Sequence, residues 1–145
     1  MKPIEILMAD DSPTDAQLAQ EALKNGKLVN KMTVVENGAR ALDYLHKRNG
    51  FEDATTPDLI LLDLNMPVMS GFEVLAAIKE DERLRRIPVV VLTTSEDEQD
   101  VLKSYDLHAS CFITKPVNFQ QFQEIVRQMK MFWFTVVTLP PNGDH

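Results

Sequence analysis

Five short apolar runs, each followed by a longer segment with helical spacing, limit what this chain can fold into. The first run covers residues 4–9 and the second 32–35, and the third, Leu59 to Leu62, contains no alternating polar residue. A strand that is apolar on both faces suits the centre of a parallel sheet covered by helices on both sides. The pattern therefore predicts an α/β domain, a doubly wound sheet of five parallel strands with helices on both faces.

The other elements follow the same rule. The fourth and fifth runs cover residues 89–92 and 110–114. The first helix is expected to begin at Ser12 and Pro13, because serine caps a helix and proline suits its first position. The stripe of the last helix is Phe119, Phe122, Ile125, Val126 and Met129. Right-handed crossovers then bring the carboxyl ends of all the strands to one edge of the sheet.

Composition excludes several classes of function. The 145 residues suit a single domain, and a formal charge of −7 gives no general attraction to nucleic acid. Cys111 is the only cysteine, which excludes an intrachain disulfide and predicts a buried, inert thiol. We expect no signal peptide and no membrane span, since no apolar stretch approaches roughly 18 residues. The expected location is the cytoplasm.

Polar residues follow four of the five runs. Asp10 and Asp11 follow the first, Asp63 the third, Thr93 the fourth and Lys115 the fifth. Taken singly, they could be loop residues, helix caps or turns, but together they would converge at one edge. Carboxylates so close raise each other's pKa unless a cation neutralises them, and oxygen ligands suit Mg²⁺. A carboxylate can also accept a phosphoryl group, which the lysine and threonine could contact.

This set of motifs resembles the receiver domain of bacterial two-component response regulators. The matching segments are Asp10-Asp11-Ser12, residues 61–67 with Gly71, Thr93-Thr94 and Lys115-Pro116. The resemblance covers residues 4 to about 131 and implies a receiver domain over residues 1–131. It also implies the flavodoxin-like strand order 2-1-3-4-5.

The resemblance implies a role for each acidic residue. Asp63 would accept a phosphoryl group from a histidine kinase, and Lys115 would pair with that group. Asp11 and Asp63 would bind Mg²⁺ through their side chains. Asn65 would contribute its backbone carbonyl, and Asp10 would act mainly through water.

Two further residues would form the switch that reports phosphorylation. Thr93 would move toward the phosphoryl group, and the aromatic side chain of Phe112 would turn inward behind it. Receivers more often carry tyrosine at this place, so Phe112 lacks the usual hydroxyl. The Lys115–Pro116 peptide bond would be cis by the same resemblance.

Residues 132–145 form an aromatic C-terminal extension. Its apolar, β-prone run, residues 132–139, ends at Pro140-Pro141 and predicts a strand. The strand could fold back on the last helix or pair with another molecule. The extension also resembles that of single-domain receivers associated with phytochrome histidine kinases. This narrower resemblance implies a phytochrome-type kinase as partner, and a homodimer through the face of the fourth and fifth helices and strands with the extension.

The leading hypothesis is a stand-alone response regulator that relays phosphoryl groups or binds a partner when phosphorylated. It would not be an enzyme, apart from slow self-dephosphorylation. Three alternatives remain open. A flavodoxin-like FMN protein has the same strand order, although Asp10 and Asp11 would repel its phosphate. A small metal-dependent phosphatase would need a further acid or base near Asp63, and a scaffold receiver would act without phosphorylation.

Overall fold

The computed structural model describes residues 3–94, 96–104, 106–107 and 109–138. Its five parallel strands form one sheet in the order β2-β1-β3-β4-β5, so the predicted fold class and strand order are confirmed. In chain order the elements are β1 (Ile4–Ala9), α1 (Pro13–Asn25), β2 (Asn30–Val35), α2 (Gly38–Leu45), β3 (Leu59–Asp63), α3 (Gly71–Glu80), β4 (Val89–Thr93), α4 (Glu96–Ser104), β5 (Cys111–Thr114) and α5 (Phe119–Thr138).

The central strands separate two apolar cores. Every residue of β3 and of β4 is buried, as expected for strands covered on both faces. Alternate side chains such as Leu7 and Ile60 pack with α2, α3 and Leu102 of α4. Their neighbours Ile6 and Leu61 pack with α1 and α5 on the other face. The two cores hold the strand ends in a fixed relation.

Local sequence signals set the helix starts near the strand ends. Ser12 caps α1 and accepts a hydrogen bond from the backbone N–H of Asp15, with Pro13 in the first position as predicted. Ser70 and Glu73 form a reciprocal capping box at α3. A Cβ on Gly71 would lie 2.3 Å from the backbone oxygen of Asp63. Glycine therefore allows α3 to start directly against the end of β3.

The predicted strand is wrong over residues 132–138, because α5 continues as a helix from Phe119 to Thr138. Each residue added to an existing helix gains a backbone hydrogen bond, whereas an isolated strand gains none. This advantage outweighs the weak β propensity of the run. Residue 139 and the double proline lie outside the described residues. No helix in the described part of the chain is long and apolar enough to cross a membrane.

Candidate functional site

The parallel register brings the predicted polar residues to one edge of the sheet. Asp63 ends β3 opposite Leu92 of β4, and Thr93 is the next residue. The backbone N–H of Lys115 donates to the carbonyl of Thr93 at 2.7 Å. Asp10 follows β1, and its N–H donates to the carbonyl of Val35 at 3.0 Å. Backbone hydrogen bonds therefore align the residues that carry the site.

Three carboxylates meet at this edge. Asp10, Asp11 and Asp63 each present a carboxylate oxygen, and these oxygens lie within 4.8 Å of one another. Asp10 and Asp63 are buried, whereas Asp11 is exposed. Oδ1 of Asp10 accepts the N–H of Ser12 at 2.8 Å, and Oδ1 of Asp63 accepts the N–H of Asn65 at 2.9 Å. One oxygen of each buried carboxylate is thereby fixed by its own loop.

The remaining oxygen of Asp10 fits a cation. Among the described residues, Oδ2 of Asp10 is buried and has no hydrogen-bond partner. Nζ of Lys115 lies 4.0 Å from this oxygen. A buried carboxylate oxygen without a partner is costly, and a hard divalent cation satisfies it. The donor set at this edge is therefore suited to such an ion.

Lys115 supplies positive charge to the cluster. Its Nζ lies 2.8 Å from Oδ2 of Asp63 and 3.3 Å from Oδ2 of Asp15. Partial burial acts to lower the pKa of Lys115, but the hydrogen bond to Asp63 and the nearby carboxylates outweigh it and raise that pKa above its ordinary value. The ammonium group is therefore held charged among the acids.

The carboxyl group of Asp10 has a raised pKa. Burial raises the pKa of Asp10 to about 7, against the hydrogen bond from Ser12 that lowers it. Asp15 and Asp63 raise it further, while Lys115 opposes them. A proton on Asp10 and a divalent cation at the site are therefore alternatives.

Thr93 lies at the end of β4 with its side chain fully buried. Its hydroxyl donates a hydrogen bond to Oε1 of Glu98 on α4. The same oxygen accepts the N–H of Thr94 at 2.8 Å and the Thr94 hydroxyl at 3.1 Å. Partial burial opposes these bonds, yet the pKa of Glu98 is lowered on balance. Thr93 is thus at the predicted edge, engaged by a carboxylate.

The protein-family model for the response regulator receiver domain matches residues 6–127 of the chain. This chain belongs to the response regulator receiver family. Response regulator Rcp1 of Synechocystis sp. is 44% identical over 138 residues, which cover 95% of this chain and 94% of Rcp1. The match also explains the acidic cluster, since receivers bind a divalent cation at such a pocket. Membership further implies a histidine kinase as partner.

Two solved receivers have the same fold over almost their whole length. The phosphorylated cyanobacterial phytochrome response regulator RcpA is 45% identical with a TM-score of 0.79, covering 97% of this chain and 100% of RcpA. The Mn²⁺-bound form of Rcp1 is 43% identical with a TM-score of 0.78, covering 96% of this chain and 100% of Rcp1.

Sequence reasoning missed two residues of this receiver's site. Asp15 was not singled out, although its place three residues after the Ser12 cap puts it in the first turn of a helix that begins at the strand edge. Acidic residues in the first turn of a helix suit the helix dipole by themselves, so the sequence does not mark Glu98 as a site residue. Its place in the first turn of α4, just after Thr93, was the available signal.

Other predicted features differ in their outcome. The Lys115–Pro116 bond is cis, as predicted. Asn65 is exposed two residues after Asp63, and its backbone N–H donates to Oδ1 of Asp63 at 2.9 Å. Its role as a cation ligand stays a prediction. Phe112 is half-buried and packs against the core that contains Leu102. Its role as a switch stays a prediction.

Proposed function

We propose that this receiver accepts a phosphoryl group on Asp63 from a histidine kinase and signals by a change of conformation or by phosphorelay. The observation that carries the proposal is the setting of Asp63. Its buried carboxylate is held by the N–H of Asn65 at 2.9 Å and by the ammonium of Lys115 at 2.8 Å. An Asp63 oxygen would bond to phosphorus while the bond from phosphorus to the kinase imidazole breaks, and the imidazole nitrogen keeps the electron pair.

During this transfer the ammonium group of Lys115 would move from the Asp63 carboxylate to the phosphoryl oxygens. Once Asp63 forms an acyl phosphate, its own negative charge is lost and the new charge lies on the phosphoryl oxygens. The ammonium group already contacts Asp63 and Asp15, so it needs only a small shift to pair with those oxygens.

We propose Mg²⁺ as the resident cation. Asp11 and Asp63 would hold it through their side chains, Asn65 through its backbone carbonyl and Asp10 mainly through water. These hard oxygen donors leave positions for water and a phosphoryl oxygen, which is the coordination that Mg²⁺ favours. When bound, the ion neutralises charge on the transferring group. The Mn²⁺-bound form of Rcp1 supports a divalent ion.

The partner we propose is a phytochrome-type histidine kinase. RcpA is described as a phytochrome response regulator, and it is similar to this chain over nearly its whole length. We further propose a homodimer through the face of the fourth and fifth helices and strands, helped by residues 132–145. Removal of residues 132–145 should then lower the molar mass measured by light scattering from dimer to monomer, and an unchanged dimer would contradict this role of the extension.

The proposed role is signalling and not turnover of an external substrate. Slow self-dephosphorylation of Asp63 would be the only hydrolysis. We also propose a cytoplasmic location, where a kinase has access to ATP as the source of the phosphoryl group.

The test is phosphorylation by a small donor. With Mg²⁺ and acetyl phosphate, intact-mass spectrometry should detect one added phosphoryl group on the wild type and none on Asp63→Asn. Asp53→Asn, which removes a carboxylate from an exposed loop position, is the matched control and should be modified like the wild type. Lack of uptake by the folded wild type would contradict the proposal and favour a scaffold receiver.

A further inference from the structure

The hydroxyl at the end of β4 is already engaged before any phosphoryl group arrives. Thr93 donates to Oε1 of Glu98, and the same oxygen accepts both the N–H and the hydroxyl of Thr94. The side chain of Asn65, two residues after Asp63, also hydrogen-bonds Glu98. Glu98 therefore connects the end of β4 with α4 and with the loop after Asp63.

The contact with Glu98 competes with any hydrogen bond from Thr93 to a phosphoryl group, because the hydroxyl has a single proton to donate. A threonine hydroxyl carries one proton to donate. While Thr93 donates to Glu98, it does not donate to an oxygen of a group on Asp63. Hydrogen bonds to a charged carboxylate are stronger than neutral ones, so the competing contact is substantial.

We propose that Glu98 is a positioning residue that holds Thr93 in the unphosphorylated arrangement and thereby sets how readily the Asp63-phosphoryl state forms. This inference rests on the proposed phosphorylation of Asp63. Loss of the Glu98 contact raises the population in which Thr93 is able to turn to the phosphoryl group. The affinity for a phosphoryl mimic rises by the same factor as that population.

A purely structural role makes a different prediction. Glu98 lies in the first turn of α4, where a carboxylate that accepts the N–H of Thr94 also stabilises the helix start. Loss of a cap alone lowers stability without changing the affinity for an anion at Asp63. Loss of a nearby negative charge alone raises that affinity whether or not Thr93 is present.

A double-mutant cycle separates these effects. Binding of beryllofluoride with Mg²⁺ to the full chain is measured by calorimetry for the wild type, Glu98→Ala, Thr93→Ala and the double variant. We expect Glu98→Ala to bind about tenfold more tightly and the gain to vanish in the Thr93→Ala background. The control, Asp100→Asn, removes a carboxylate from an exposed position of the same helix and should bind like the wild type.

The affinity gains measured in the two backgrounds distinguish the proposal from simple charge repulsion. An equal gain in the Thr93→Ala background would overturn the proposal in favour of charge repulsion alone. No gain in affinity for Glu98→Ala would also overturn the proposal. If the alanine variant unfolds, Glu98→Gln takes its place. We expect Glu98→Gln to bind about threefold more tightly than the wild type, because glutamine leaves a weaker, neutral acceptor for Thr93. Failure of the wild type to bind removes the proposed function and this inference together, whereas binding without a Glu98 effect removes only the inference.

Discussion

Helices α3 and α4 follow the strands that carry Asp63 and Thr93, but they are attached to the sheet in different ways. In α4, among residues 97–103 whose side chains are described, only Leu102 is buried. By contrast, the buried residues of α3 are Gly71, Val74, Leu75 and Ile78. The start of α4 is held to its strand by the polar contacts of Glu98.

The difference indicates how the two sides of the site can respond to an anion. Apolar burial cannot be replaced by a phosphoryl group, so α3 and Asp63 form the fixed side. A hydrogen bond between a hydroxyl and a carboxylate can be replaced by one to a phosphoryl oxygen. The start of α4 is therefore the side on which phosphorylation can act.

The largest expected effect contrasts the two buried leucines. Leu75→Ala should lower the global free energy of unfolding by about 3 kcal/mol, because it opens a cavity beneath the fixed side. Leu102→Ala should instead reduce amide protection mainly in α4, because that helix can detach locally. Denaturant titration and hydrogen exchange measure the two effects. Equal global losses with uniform protection would contradict the difference between α3 and α4.

Removal of the ammonium group of Lys115 tests how the carboxylate cluster contributes to stability. Without a divalent cation, Lys115→Met should lower the free energy of unfolding by about 2 kcal/mol, since the buried carboxylate of Asp63 loses its partner. Mg²⁺ should restore part of the loss. The control is Lys130→Met at an exposed position, which should leave stability unchanged. If Lys115→Met were as stable as the wild type, the ion pair between Lys115 and Asp63 would not contribute to the stability of the fold.

The pH dependence of stability should come from Asp10 in the same carboxylate cluster. Because the folded protein has a pKa of about 7 at Asp10, against 3.8 as the ordinary value, it binds a proton that the unfolded chain has released. The metal-free protein should therefore lose about 1–2 kcal/mol of stability as pH rises through 7. Asp10→Asn should remove this loss in denaturant titrations at about pH 5.5 and about pH 8. Mg²⁺ affinity should rise over the same range, because the cation replaces the proton.

The smallest effect concerns the start of α3. Ser70→Ala should cost about 1 kcal/mol of stability, since it removes the hydroxyl that accepts the N–H of Glu73. It should leave beryllofluoride affinity unchanged, unlike Glu98→Ala at the start of α4. Glu73→Gln keeps a side-chain oxygen for the N–H of Ser70 and should cost less. A change in affinity for Ser70→Ala would show that α3 also responds to the anion.

Much of the fold and the site could be predicted from the sequence. The unbroken apolar run of β3 indicated a central parallel strand, and residues at strand ends had to meet at one edge because the crossovers are right-handed. Asp15 and Glu98 were missed because helical residues reach the site through cap geometry, which periodicity does not describe. The β-prone composition of residues 132–139 predicted a strand, whereas continuation of α5 decides the conformation of residues 132–138.

The continuous helix α5 has a mechanical consequence. A helix of 20 residues is about 30 Å long, and it begins five residues after Thr114 at the end of β5. A tilt of about 10° at Phe119 would move its far end by about 5 Å. A displacement too small to disturb the sheet would thus be amplified along this lever arm, and the distant end of the molecule would report what happens beside Lys115.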